Sequence, residues 1–227
     1  MHNKKNKMII VILLIFLVFC FKSNNVSAAD VNNNPEDTKI KSSGKSLNDF
    51  IPKDWKLISK VQGDLNKDKL KDIAAVIEYT GEYNADDEAE MSGKPRILFI
   101  IFKTKDGTYK LSVQSATIIM REGMGGVYGD PFDSMEYNRG SLVINFYGGS
   151  SWRWGYTYRF RYQNKGWFLI GETDETNNIN TGEAETIDTN CLTGKQITTS
   201  IDTNGKKDVV TRNIGKKKLK KLIDFKL

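Results

Sequence analysis

The chain has 227 residues, of which 39% are hydrophobic, 27% charged and 11% aromatic, and its formal net charge is +6. This composition fits one globular domain, and it excludes a disordered chain, a collagen-like repeat and, with two cysteines, a disulfide-held scaffold. It does not name a function.

The first 28 residues have the pattern of a secretory signal peptide. Three lysines within the first seven residues precede an apolar run at 8–21, and small residues follow at 26–29. The run has 14 residues, whereas a helix needs about 20 to cross the hydrocarbon core. We therefore predict cleavage after Ala28, no transmembrane span in the mature form, and a secreted or cell-surface protein. A lipid on Cys20 is disfavoured because the bulky Phe19 precedes it.

Removal of this segment changes which functions are open to the chain. The mature net charge falls to +2, which gives no electrostatic reason to bind nucleic acid. The one histidine lies at position 2, so the mature chain has none, which excludes Ser-His-Asp and Cys-His catalysis and histidine-bound zinc. Cys191 is then the one cysteine, and we interpret it as buried because no neighbour in the sequence activates it.

The remaining chain divides into a leader at 29–45 and a domain at 46–227. The leader is polar and is predicted to be flexible. Ser46 is expected to precede a short helical turn that ends at Phe50, because Pro52 follows. Candidate strands are rich in β-branched or aromatic residues and are bounded by turn residues. They are 73–79, 96–103, 109–120 (with a break), 134–137, 142–147, 152–162 and 167–170.

Short glycine-containing turns separate three pairs of these strands, at 105–107, 138–140 and 164–166. Strands joined by turns this short run antiparallel. Helical periodicity appears only near the C-terminus, at about 217–225. The sequence therefore predicts a mainly β fold, a single antiparallel domain of meander or sandwich type with short helical segments at its ends.

The segment 64–72 has the spacing of a calcium-binding loop. Oxygen-bearing side chains occupy positions 1, 3, 5 and 9, and a backbone carbonyl is available at position 7, which is the alternation that Ca²⁺ requires. The predicted ligands are Asp64, Asn66, Asp68, Leu70 and Asp72. A strand follows, instead of the helix of an EF-hand. The alternative is a polar, solvated turn.

The same segment carries a resemblance to a known family. Residues 61–111, with the loop, a strand, the turn Lys105-Asp106-Gly107 and a further strand, resemble one FG-GAP or VCBS unit, the calcium-loop hairpin of integrin-type propellers and bacterial surface proteins. The resemblance implies a structural Ca²⁺ on the five positions named above. Lys69 stands where the family has a glycine with a left-handed backbone, which implies lower affinity. No second copy of the spacing occurs, so a complete propeller is not expected.

The strand at 152–162 alternates aromatic and basic residues. Aromatic side chains occupy every even position from Trp152 to Tyr162, while three arginines lie on the opposite face. Burial in the core is favoured for the aromatic face, since a domain without disulfides needs large apolar surfaces. Aromatic and cationic side chains also bind sugars and their acidic groups. The candidate ligand-binding residues are Trp152, Arg153, Trp154 and Tyr156.

Two functions remain open. The first is a non-catalytic secreted or cell-surface domain with a structural calcium site, which binds an extracellular protein or polysaccharide. The alternative is a small wall-associated hydrolase that uses paired carboxylates, as glycosidases do. The candidates for such a pair are Asp130, Asp133, Glu136, Glu172, Asp174 and Glu175, whereas the acidic segment 86–90 is interpreted as a solvated loop. Without a pair singled out by the sequence, enzymatic activity is undecided, and we favour the non-catalytic domain.

Overall fold

The computed structural model describes residues 34–83 and 93–227, which form two antiparallel sheets. The first sheet has five strands. In spatial order they are β1 (Ser43–Gly44), β5 (Tyr109–Ser115), β4 (Arg96–Lys103), β3 (Asp72–Tyr79) and β2 (Trp55–Gly63).

The second sheet has seven strands, each paired with its neighbour in the chain. In spatial order they are β12 (Lys207–Asn213), β11 (Lys195–Ile201), β10 (Ala184–Asn190), β9 (Gly166–Asn178), β8 (Trp152–Gln163), β7 (Ser141–Gly149) and β6 (Phe132–Asn138). The predicted mainly β, antiparallel domain is therefore confirmed.

Helical structure in the described residues consists of short 3₁₀ segments. They are Pro35–Asp37, Leu47–Phe50, Glu122–Tyr128 and Leu222–Asp224. The segment after Ser46 begins where the sequence predicted it, and the Asp49 carboxylate accepts the backbone N–H groups of Lys45 and Ser46. The C-terminal segment is shorter than the helical periodicity at 217–225 suggested. No helix within 34–83 or 93–227 is long and apolar enough to span a membrane.

The main core fills the space between the two sheets. Val76 and Leu98 of the first sheet belong to the same buried cluster as Ile144 and Phe160 of the second, and the C-terminal Phe225 closes it. A second cluster covers the other face of the first sheet, where Phe50 and Trp55 join Ile77 and Phe99. The middle strands β3 and β4 are thus buried on both faces, which explains their unbroken apolar sequence.

The predicted flexible leader is wrong for residues 34–45. Ile40 is buried, its N–H donates to the side chain of Gln114, and β1 pairs with β5. Glu36 also forms an ion pair with Arg121. One apolar side chain and these pairings suffice to attach a polar segment. The predicted signal peptide at 1–28, Cys20, the start of the leader and the acidic segment 86–90 lie outside the described residues.

The predicted turns are present, with one change in detail. Arg139 and Gly140 both have positive φ, as a two-residue hairpin loop requires. In the turn at 164–166, however, Asn164 and Lys165 carry the positive φ, and Gly166 is already the first residue of β9. The strands β1, β2, β10, β11 and β12 were not predicted from the sequence.

Candidate binding site

The aromatic residues of β8 share one face, which leads from the core to the surface. Phe160 and Tyr158 are buried between the sheets, as the sequence analysis favoured. Tyr156 and Trp154 are partly buried against that core, and Trp152 is 52% exposed. The face therefore leaves the core toward the start of β8. We call Trp152, Trp154 and Tyr156 the aromatic ladder.

Two features give the ladder its shape: its rings stack on one another, and Gly148 on the neighbouring strand has no side chain. The rings of Trp154 and Tyr156 stack with centroids 5.1 Å apart, and those of Tyr156 and Tyr158 follow at 6.2 Å. Trp154 pairs with Gly148 of β7. A Cβ atom at Gly148 would lie 2.3 Å from the indole, so only glycine leaves room for the ring in this position.

Arg153, the fourth predicted ligand-binding residue, lies on the opposite face of the sheet. Its guanidinium lies 5.0 Å from the ring centroid of Tyr128 and donates to the carbonyl of Gly149. Tyr128 in turn contacts Tyr147 edge to face. The four candidate ligand-binding residues therefore do not share one surface, because neighbouring residues of a strand point to opposite faces, as the alternation along this strand predicted. The contacts of Arg153 hold the glycine-rich segment 122–131 against the sheet.

Two carboxylates lie beside the ladder on the neighbouring strand β9. Glu172 pairs with Tyr158, and Asp174 pairs with Tyr156, so both share the aromatic face. Burial and the charge of Asp174 raise the pKa of Glu172, although Lys220 and Lys217 oppose this. Partial desolvation raises the pKa of Asp174. Burial and the nearby carboxylates also raise the pKa of the Tyr158 hydroxyl.

A β-bulge brings these carboxylates to the ladder. Near the turn, Phe160 pairs with Leu169, but the next pair is Arg159 with Gly171, so the register shifts by one residue of β9. Without that shift, Glu172 and Asp174 would point to the opposite face, because side chains alternate along a strand.

A cavity of about 220 Å³ lies next to Glu172, under the C-terminal segment. Its lining includes Glu172, Thr189 and Cys191, with Lys217 and Lys220 from the lysine-rich segment at 216–221. Cys191 is therefore partly buried, and it packs against the main core while also lining the cavity. Burial, followed by the charge of Glu172, raises the pKa of its thiol to about 11.

Another predicted carboxylate, Asp130, has a structural role. It accepts two hydrogen bonds from the buried Arg96, of 2.7 and 2.6 Å. Arg96 also binds Glu78 and the carbonyl of Met120. Burial alone would raise the pKa of Asp130, but the hydrogen bonds from Arg96 outweigh it and lower that pKa. Asp130 thereby ties the glycine-rich segment to the first sheet, and it is not paired with the carboxylates of β9.

The loop at 64–72 turns its polar side chains toward its own backbone. Asp64 accepts the N–H groups of Asp68 and Lys69, and Asn66 also accepts the N–H of Asp68. Asp68 in turn accepts the N–H of Leu70 at 2.8 Å. Lys69 has a φ of 71°, so lysine occupies a left-handed conformation where the resemblance led us to expect one.

Asp72 differs from the other predicted calcium ligands because it is completely buried. Its two carboxylate oxygens accept the N–H groups of Leu65, Asn66 and Lys103, which ties the loop to β4. Burial raises the pKa of Asp72 against the effect of these hydrogen bonds. In the described part of the chain, no group of three or more histidine, cysteine, aspartate or glutamate residues is placed to hold a metal ion. Any cation in this loop would therefore depend on Asn66 and on carbonyl oxygens as well.

Comparison of the chain with family models, with curated proteins and with solved structures found no match.

Proposed function

We propose that this protein is a non-catalytic, exported binding domain whose aromatic ladder binds a glycan chain. The proposal rests on one observation. The aromatic face of β8 extends from the core to the protein surface, where Trp152 is 52% exposed. A monomeric domain gains no stability from a tryptophan in water. A sugar ring stacked on it would remove its apolar surface from water.

The strand next to the ladder supplies polar groups for the same ligand. Asn178 pairs with Trp152, Thr176 with Trp154 and Asp174 with Tyr156. Amide, hydroxyl and carboxylate groups thus lie beside the rings of the ladder, and such polar groups fix the orientation of a sugar through its hydroxyls. We infer a neutral or weakly charged polysaccharide, because the two nearby carboxylates would repel a strongly anionic chain.

Sedimentation with insoluble polysaccharides tests this proposal. The mature protein is mixed with peptidoglycan, chitin, cellulose or xylan, and the bound fraction is measured after centrifugation. We expect retention by at least one of them, and a loss of about tenfold in affinity for Trp152→Ala and for Trp154→Ala.

The matched control is Tyr128→Ala, which removes an aromatic ring of similar exposure, 55%, from the opposite face. Its binding should equal that of the unmutated protein. Equal losses from all three substitutions, or retention that survives the two ladder substitutions, would contradict the proposal.

The second candidate function is hydrolysis of the same glycan by the carboxylates of β9. It is favoured by one observation, the raised pKa values of Glu172 and Asp174 on one face beside the ladder. Two residues apart on one face of a strand, their Cα atoms lie about 7 Å from each other. From that spacing, the side chains can reach the separation of roughly 5 to 9.5 Å between carboxyl groups that glycosidases use. A raised pKa suits the acid that protonates the leaving group.

Release of reducing ends from a retained polysaccharide separates the two functions. A hydrolase would release sugars, and Glu172→Gln would abolish the release. We expect no release by the unmutated protein. Trp154→Ala should still lose binding, which identifies the ladder as a binding site in its own right.

We also propose that the loop at 64–72 holds a structural Ca²⁺. The side chains of Asp64, Asn66 and Asp68 and the carbonyl of Leu70 would supply ligands, while Asp72 fixes the loop through its backbone hydrogen bonds. The support is that Asp64 and Asn66 both accept the N–H of Asp68, which brings their side-chain oxygens together inside a loop with left-handed residues at Lys67 and Lys69. Such curled loops turn alternate side chains inward, as cation binding requires.

A further inference from the structure

The outermost strand of the seven-stranded sheet, β12, is unusually exposed. All seven of its residues are exposed, including Val209 at 54%, and it pairs with β11 on one side only. On its other side it has no neighbour among the described strands. An exposed edge of this length offers unpaired backbone groups to another strand.

The hydrogen bonds at the ends of β12 show which backbone groups point outward. The N–H of Ile214 donates to Gly194, and the carbonyl of Lys206 accepts from Asp202, both on the side of β11. The direction in which the backbone N–H and C=O groups point alternates from residue to residue along a strand, so the groups of the even-numbered residues of β12 bond to β11. The backbone N–H and C=O groups of the odd-numbered residues therefore face the free edge. These residues are Lys207, Val209, Thr211 and Asn213.

The sequence of β12 is complementary to itself in one antiparallel register. When two copies pair around a two-fold axis at Val210, Asp208 of each copy lies opposite Arg212 of the other. Val209 then lies opposite Thr211, and the two copies of Val210 face each other. Opposite charges and β-branched residues in cross-strand positions are the pairs that stabilise a sheet.

The neighbouring registers lack this match. An axis at Val209 would place Lys206 opposite Arg212, two like charges, while an axis at Thr211 would leave Asp208 opposite Ile214. Like charges in directly opposed positions destabilise a strand pair. The charge pattern thus selects the axis at Val210, and in that register the outward-facing residues form about eight backbone hydrogen bonds.

We infer that β12 is a dimerisation edge and that a second copy of this chain pairs with it, to form one continuous sheet across both copies. A single pair of strands buries little surface by the standard of stable complexes. We therefore expect a weak dimer, with a dissociation constant on the order of 10⁻⁵ M.

Sedimentation velocity over protein concentrations from about 1 to about 300 µM measures this equilibrium. The mature protein should change from monomer to dimer within that range. Asp208→Arg would place two arginines opposite each other, and Arg212→Asp would place two aspartates there. Each substitution alone should weaken the dimer by about tenfold or more, and the double substitution should restore it.

Two controls separate pairing from folding. Glu185→Arg makes the same change of charge on β10, which is not an edge strand, and should leave the dimer intact. Thr211→Pro removes an N–H that faces the free edge, so it should abolish the dimer while the circular dichroism spectrum stays unchanged. A monomer at every concentration, or a double charge exchange that fails to restore what the single changes remove, would overturn the inference.

Discussion

Gly148 determines whether the aromatic ladder can form. A methyl group there would lie 2.3 Å from the indole of Trp154, so Gly148→Ala must displace the ring. We predict a loss of about tenfold in glycan affinity without removal of any aromatic side chain. Gly171→Ala is the matched control, because its methyl group would make only ordinary contacts, the nearest at 3.6 Å. Equal affinities for the two variants in the sedimentation assay would show that the position of the Trp154 ring is unimportant.

Cys191 should react slowly in the folded protein. Burial and Glu172 raise the pKa of its thiol to about 11, so about one thiol in a thousand is ionised at pH 8. In the unfolded chain the ordinary pKa, near 8.5, leaves roughly a quarter ionised. Alkylation by iodoacetamide should therefore be at least about a hundredfold faster in guanidinium chloride than in native buffer. Similar rates in both conditions would contradict the assignment of Cys191 to the cavity wall.

At the scale of elements, the loop 64–72 should stabilise the domain when Ca²⁺ is present. With a dissociation constant on the order of 10⁻⁴ M, about 1 mM Ca²⁺ adds about 1.4 kcal/mol to the free energy of unfolding. This corresponds to a rise of roughly 3 to 6 °C in Tm, measured against chelator. Asp68→Ala should abolish the rise, and Lys69→Gly should increase it, because glycine adopts the φ of 71° without strain.

The control for this loop is Glu136→Ala, which removes an exposed carboxylate from β6 and should leave the calcium-dependent rise unchanged. Identical melting curves of the unmutated protein with Ca²⁺ and with chelator would mean that the loop is only a polar turn.

The contact between Arg96 and Asp130 should make the stability depend on pH. Against the effect of burial, hydrogen bonds from Lys56 and Arg96 lower the pKa of Glu78 in the folded state, and those from Arg96 lower the pKa of Asp130. Their contribution to stability is therefore complete above the ordinary carboxyl pKa and is lost as the pH falls through the folded pKa. We predict that Asp130→Asn costs about 1 kcal/mol at pH 7, a value reduced by the partial exposure of Asp130. Melting curves at pH 7 and below pH 3 provide the check. The difference between the two proteins should shrink at the lower pH, and a constant difference would argue against the ion pair.

The elements differ in how well their sequence predicts them. The strands β3 and β4 were evident because burial on both faces demands an unbroken apolar sequence. The strands β10 to β12 lie beyond the core, and exposure of both faces of β12 removes the alternation by which strands are recognised. Their threonine and isoleucine content alone was too weak a signal.

The candidate binding site was only partly predictable from the sequence. Period-two alternation identified the aromatic face of β8, but it left open which part is buried, since that depends on where the opposing sheet ends. The bulge in β9, which turns Glu172 toward the ladder, has no marker in the sequence. Arg153 was grouped with the aromatic residues as a candidate although the same alternation places it on the opposite face of the strand.

At the scale of the whole molecule, dimerisation through β12 would place two ladders on the same side of one sheet. A two-fold axis at the edge of an antiparallel pair is perpendicular to the sheet, so both copies expose the same face in the same direction. Two linked sites increase the apparent affinity for a polymer by avidity, without any new contact. The monomeric variant Asp208→Arg should therefore bind an insoluble polysaccharide at least about tenfold more weakly, yet bind a short soluble fragment with unchanged affinity. Equal loss for both ligands would place Asp208 in the glycan site itself.

The central claim, that the ladder is the glycan-binding site, is tested most directly by NMR of the tryptophan indoles. The chain has four tryptophans, of which Trp152 and Trp154 belong to the ladder, while Trp55 and Trp167 are buried in the two cores. One ¹H–¹⁵N spectrum thus contains the site and its internal control. On titration with soluble fragments of the retained polysaccharide, we predict that the Nε1–H signals of Trp152 and Trp154 shift with saturation while those of Trp55 and Trp167 stay in place. Binding that leaves both ladder signals unmoved would contradict the account.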